Sequence, residues 1–136
     1  MGVFADGFAT ANREKLLYAA KTHTTGEGGF RSFDTPGPGT NTERLFAAGW
    51  SACFQSAMTV VAREKKIRLP TDTAIVVEVD LDEHLADNTY FLRARIIVSL
   101  PGVDRELALT IVNEAHQACP YSQATRGNVD TALYLV

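Results

Sequence analysis

The chain has 136 residues, 46% of them hydrophobic, which suits a single globular core near the commonest domain size. Thirteen basic and sixteen acidic residues leave a net charge of −3, with no basic block, low-complexity tract or internal repeat, which argues against a dedicated binder of nucleic acid or anionic membrane. Two cysteines are too few for a secreted disulfide framework, so a cytoplasmic protein with reactive or buried thiols is the expectation.

Residues 1–136 read as one domain, with 1–14 an N-terminal extension that lacks an apolar stretch of signal-peptide length. Residues 15–25 predict a first strand, the Gly26-Glu27-Gly28-Gly29 run a turn, and Phe30 to Phe33 a short second strand. Thr35-Pro36-Gly37-Pro38-Gly39 then forbids regular structure. A helix follows from about Asn41 to Lys66, with Asn41 or Thr42 as N-cap and Glu43 in the first turn, where a carboxylate suits the helix dipole.

Residues 45–62 carry no formal charge and reach the lower edge of membrane-spanning length. Gly49, Ser51, Gln55, Ser56 and Thr59 interrupt them, which favours a buried helix covered on most sides, kept thin by Ala47, Ala48, Gly49 and Ala52.

Two period-two strands come next. In residues 74–82, Ile75, Val77, Val79 and Leu81 share one face, with Glu78, Asp80 and Asp82 on the other. In residues 89–100, Tyr90, Leu92, Ala94, Ile96 and Val98 alternate with Arg93, Arg95 and Ser99. A second helix starts near Asp104 and covers 105–118, with Leu107, Ile111, Ala115 and Ala118 as its buried stripe and Pro120 as its stop. Residues 129–136 supply a last strand. The order predicts an α+β fold: an antiparallel sheet with two long helices on one face.

The two cysteines sit in different settings. Cys53 lies within the apolar helix and Cys119 follows the second helix, immediately before Pro120. Free cysteines often serve as small core hydrophobes, and that reading applies more strongly to Cys53 than to Cys119. If both react, Cys119 at a helix C-terminus faces the end of the dipole that disfavours an anion. Cys53 at mid-helix is then the better attacking thiol, provided a cation reaches it, and Cys119 the better resolver. Arg31, Arg44 and Arg126 are the candidate cations, and Glu43 is placed to orient one of them. His116 and Cys119 have metal-like spacing, but His23 and His84 form no second pair, so zinc is not expected. Cys119-Pro120-Tyr121-Ser122 imitates a redox tetrapeptide whose second cysteine is lost, and it lies at the end of a helix instead of its start.

Two segments resemble signatures of the organic hydroperoxide resistance proteins of the OsmC/Ohr superfamily. The first is Gly39-Thr40-Asn41-Thr42-Glu43-Arg44-Leu45-Phe46-Ala47-Ala48-Gly49-Trp50-Ser51-Ala52-Cys53-Phe54. The second is His116-Gln117-Ala118-Cys119-Pro120-Tyr121-Ser122-Gln123-Ala124-Thr125-Arg126-Gly127-Asn128-Val129-Asp130. The resemblance runs from about Leu17 to the C-terminus. It implies an intertwined homodimer in which Cys53 is the peroxidatic cysteine and Cys119 the resolving one. It further implies that Glu43 holds an arginine against the thiolate, that a lipoylated protein supplies the dithiol reductant, and that no metal or haem cofactor is used. Phe46, Trp50 and Phe54 would give an apolar pocket for an organic hydroperoxide.

The family arginine normally follows Thr-Gly-Gly, whereas this chain reads Thr25-Gly26-Glu27-Gly28-Gly29-Phe30-Arg31. Direct alignment puts Gly28 at that place. Either Arg31 substitutes from a rerouted, shortened loop, or thiolate activation is weakened. The weakened case leaves open a superfamily relative that binds a hydrophobic ligand or senses oxidation.

Overall fold

The computed structural model describes residues 2–5, 14–25, 30–33 and 42–136, with side chains from Thr42 onward. The elements in chain order are β1 (Gly2–Ala5), β2 (Glu14–Thr25), β3 (Phe30–Phe33), α1 (Thr42–Glu64), β4 (Ala74–His84), β5 (Tyr90–Ser99), α2 (Arg105–Ala118), α3 (Pro120–Thr125) and β6 (Asp130–Leu135). The six strands form one sheet in the order β1-β6-β5-β4-β2-β3. Asn41 and the predicted turns at 26–29 and 35–39 lie outside the described residues.

The α+β architecture agrees with the sequence reading, but the sheet is mixed instead of antiparallel. β4 and β5 form an antiparallel hairpin, whereas β5 and β6 run parallel, with Ala94 opposite Thr131 and Ile96 opposite Leu133. The physical reason is the crossover: α2 and α3 return the chain to the end at which β5 began. Two further elements were not anticipated. Gly2–Ala5 pairs antiparallel with β6, inside the segment read as an extension. Pro120, read as a stop, also opens α3, where its missing N–H and fixed φ suit the first helical position.

The core forms between the sheet and the two long helices. Ile75, Val77 and Val79 of β4, Ala94, Ile96 and Val98 of β5, and Leu133 of β6 are fully buried, as the period-two pattern requires. They meet Trp50, Phe54 and Met58 from α1 and Ile111, Val112 and Ala115 from α2. On α2 the buried stripe is Ala108, Ile111, Val112 and Ala115, while the expected Ala118 is exposed. Asp104 caps this helix, its carboxylate accepting from the Leu107 N–H at 3.3 Å.

The 23-residue α1 is long and apolar enough to cross a membrane by length and composition, and half of its most apolar window is buried within the fold. Trp50, Phe54, Met58 and Val61 turn inward. Contrary to the expected cover on most sides, Leu45 and Val60 are exposed on the opposite face, along with Ser56. The face of β4 and β5 away from this core carries charge: Arg95 donates to Glu78 at 2.6 Å and grips both Asp80 oxygens at 3.0 and 2.9 Å. Burial opposes that charge, but Asp80 and Glu78 outweigh it and hold the guanidinium more firmly protonated than usual.

Candidate active site

Cys53 lies midway along α1, where the helix dipole contributes little to a thiolate. Cys119 is the hinge between α2 and α3, ending one helix and preceding the other. Its extended backbone (φ −67°, ψ 122°) turns the corner, its N–H donates to Ala115 O at 2.8 Å, and its carbonyl accepts from Gln123 N–H at 2.9 Å. Cys119 is therefore at a helix start as well as a helix end. This corner carries its side chain against α1, where its Sγ lies 3.4 Å from Cys53 Sγ, both thiols free. A disulfide bond is about 2.05 Å long, so a small side-chain adjustment suffices to join them. Burial is the reverse of the sequence expectation: Cys119 is wholly buried and Cys53 retains exposed surface.

One face of α1 makes the surroundings. Phe46, Gly49, Trp50 and Cys53 follow helical spacing of three and four residues, so they line the side toward α3. Phe46 meets Trp50 edge-on at 5.7 Å between ring centroids and Tyr121 at 6.1 Å. The Tyr121 ring rests directly over Gly49: a Cβ there would stand 2.7 Å from the phenol oxygen and 3.1 Å from two ring carbons. Of the three aromatic residues expected to wall a pocket, only Phe46 keeps accessible surface. Trp50 and Phe54 are fully buried and back the site from the core. A cleft of about 530 Å³ lies farther down α1, lined by Thr59, Arg63, Ile67 and Leu69 among others, without Cys53.

Ser122 belongs to the second motif and ends the redox-like tetrapeptide, but the sequence alone assigns it no partner. It is fully buried, accepts from Trp50 Nε1 at 3.2 Å and meets His116 Nδ1 at 2.9 Å. No periodicity or spacing reveals such a contact, because Ser122 and Trp50 are 72 residues apart.

Burial pushes the Cys53 thiol up; the Tyr121 backbone N–H opposes this, and the neighbouring Cys119 adds to the rise. Activation therefore calls for a cation. Glu43 sits half-buried in the first turn of α1, accepting from Thr42 Oγ1 at 2.7 Å. It is ten residues from Cys53, about 15 Å along the axis, so it acts on the sulfur only through an intermediary. Arg31 lies in β3 with its backbone opposite His23, and its side chain lies outside the described residues. Arg126 donates to the His116 carbonyl at 2.8 Å, and Arg44 is half-buried near Glu43. Among the described residues no group of three His, Cys, Asp or Glu side chains is arranged to hold a metal.

Residues 35–133 match the model of the OsmC-like protein family. The chain is 39% identical to the organic hydroperoxide resistance protein of Xanthomonas axonopodis pv. citri, covering 92% of this chain and 99% of that one. It is 41% identical to the organic hydroperoxide resistance protein OhrB of Bacillus subtilis, over 83% of this chain and 88% of the relative. Against the crystal structure of that OhrB the TM-score is 0.69 with 37% identity, covering 88% and 98% of the two chains. The organic hydroperoxide resistance protein of Elizabethkingia anophelis gives 0.68 with 31% identity over 89% and 96%. With both cysteine-bearing segments inside the matched region and the fold shared, the chain belongs to the OsmC-like family, among the organic hydroperoxide resistance proteins.

Proposed function

We propose that this protein is a cysteine-based peroxidase that reduces alkyl or fatty-acid hydroperoxides to alcohols in defence against oxidative stress. The observation that carries the reading is the 3.4 Å approach of Cys53 and Cys119 from segments 66 residues apart. The relatives named organic hydroperoxide resistance proteins supply the substrate class.

Cys53 thiolate attacks the terminal oxygen of the hydroperoxide, the O–O bond breaks, and the alkoxide leaves as alcohol after taking a proton. Cys53 is left as sulfenic acid. Cys119 sulfur then attacks the Cys53 sulfur; an S–S bond forms, and the hydroxyl leaves with a proton as water. A dithiol of the lipoyl type reduces the disulfide and is itself oxidised to a disulfide, returning both thiols.

Burial raises the Cys53 thiol, so a cation would favour its thiolate; Arg31 takes that role by substituting from a rerouted loop where direct alignment puts Gly28, oriented by Glu43. β3, which carries Arg31, lies against α1. Phe46 is the apolar residue that a substrate chain would touch, with Trp50 and Phe54 behind it. The protein acts in the cytoplasm as an intertwined homodimer. Support for the dimer comes from the uncovered strip of α1 bearing Leu45 and Val60, 62% and 48% exposed.

The raised Cys53 thiol also favours a second reading, a hydrophobic-ligand-binding or redox-sensing relative with weak peroxidase activity. Turnover of cumene hydroperoxide with dihydrolipoamide separates the two. The peroxidase reading expects turnover faster than with hydrogen peroxide and a loss of it in Arg31→Ala. No turnover with any dithiol supports the sensor, equal rates with both peroxides refute the selectivity, and an undiminished Arg31→Ala removes Arg31 as activator.

A further inference from the structure

The buried contacts of Ser122 have a symmetry about the two sulfurs. Trp50 precedes Cys53 by three residues on α1, His116 precedes Cys119 by three on α2, and Ser122 follows Cys119 by three on α3. Its hydroxyl joins the other two side chains, at 3.2 Å to Trp50 Nε1 and 2.9 Å to His116 Nδ1. An indole N–H only donates, so Ser122 Oγ accepts it. The hydroxyl keeps a second lone pair and its own proton for His116 Nδ1, so it can pair with that ring in either tautomer. Trp50 and Ser122 are both fully buried, so neither has water as a substitute partner.

We propose that Ser122 is a positioning residue whose hydroxyl, held between Trp50 and His116, fixes the joint between α1, α2 and α3 and thereby the separation of Cys53 and Cys119. Its effect falls on the step that joins the sulfurs. The first attack on peroxide uses Cys53 and its activating cation without Cys119, whereas disulfide formation needs both sulfurs held within reach. This inference deepens the peroxidase reading, and the equilibrium arm of its test does not require peroxide.

The purified full-length protein is equilibrated with mixtures of reduced and oxidised dithiothreitol, and the Cys53–Cys119 disulfide is counted by thiol labelling and mass spectrometry. Ser122→Ala and Trp50→Phe are compared with wild type. Val61→Ala, a core truncation on the same helix away from the joint, controls for general destabilisation. Ser122→Ala is expected to make the disulfide about tenfold less favourable, a shift of about 30 mV toward easier reduction. Trp50→Phe is expected to move the same way, and Val61→Ala to stay within twofold of wild type. With cumene hydroperoxide and a sulfenic-acid trap, Ser122→Ala should give several times more trapped Cys53 at an unchanged first-step rate.

Equilibria within twofold of wild type for both joint variants overturn the proposal, as does a Val61→Ala shift equal to theirs. If Ser122→Ala does not fold, Trp50→Phe decides alone. A wild type that consumes no hydroperoxide, yet shows the tenfold shift in the variants, upholds the positioning role and overturns the peroxidase reading.

Discussion

Gly49→Ala tests how the Tyr121 ring is seated beside the sulfurs. Glycine in a helix interior costs about 1 kcal/mol relative to alanine, so the substitution begins with a gain of that size. Against it stands the new methyl, placed 2.7 Å from Tyr121 Oη and 3.1 Å from two ring carbons. Ordinary contact requires the phenol end to retreat by about 0.7 Å, a tilt well inside one rotamer well, with a cost of about a few tenths of a kcal/mol. Tyr121 is 38% exposed, so the ring has room to move outward. Its contact with Phe46 weakens in part, from a pair worth about 0.5–1.5 kcal/mol. The balance is a stabilisation of roughly 0.5 kcal/mol.

Urea unfolding followed by fluorescence of Trp50, the sole tryptophan, measures it. In a Tyr121→Ala background the clash is gone and the full ~1 kcal/mol helix gain should appear. The coupling between the two sites is then about 0.5 kcal/mol. If Gly49→Ala instead destabilises by more than about 1.5 kcal/mol in the wild-type background alone, the ring is fixed and the account of its seat is wrong.

Arg95→Ala removes the guanidinium shared by Glu78 and Asp80 and leaves two carboxylates facing each other on the sheet. A fully buried pair broken this way loses about 3–5 kcal/mol; because Arg95 is 27% exposed, about 2–3 kcal/mol is expected by urea unfolding, and a loss below 0.5 would refute it. The Cys53 thiol, raised by burial, should alkylate slowly until the pH passes the ordinary thiol range in a variant lacking Arg31, and Cys119→Ala should shift that profile to lower pH by removing a raising neighbour. The sign for stability follows: between the unfolded value of 9.0 and the higher folded value the native state binds more protons, so stability falls as pH rises through that window. A profile unmoved by Cys119→Ala, measured by iodoacetamide trapping, would exclude the coupling.

The elements with a strong local signature were legible. The alternation in residues 74–82 and 89–100 became the β4–β5 hairpin, because Ile75, Val77 and Val79 had to face the helices once the carboxylates faced away. The uncharged run became the helix bearing Cys53. What eluded sequence reading depends on contacts made far along the chain. Four residues of β1 form a strand only because β6 offers an edge. β6 runs parallel because of the crossover before it. Pro120 both stops one helix and starts another, and the sequence announces only the stop. The cysteines were recognised by their motifs, but which is buried depends on the corner at Cys119 that folds it onto α1. Ser122 was invisible as a partner because a serine declares no preference for a tryptophan 72 residues away.

The most direct test of the central claim is rapid-mixing reduction of cumene hydroperoxide by the reduced protein, without added dithiol, with free thiols and intramolecular linkage followed together. The account predicts that wild type consumes one hydroperoxide as both thiols disappear into a Cys53–Cys119 disulfide. It predicts that Cys119→Ser consumes one and stops at a trappable Cys53 sulfenic acid, and that Cys53→Ser consumes none. Hydroperoxide consumption by Cys53→Ser at the wild-type rate would contradict it.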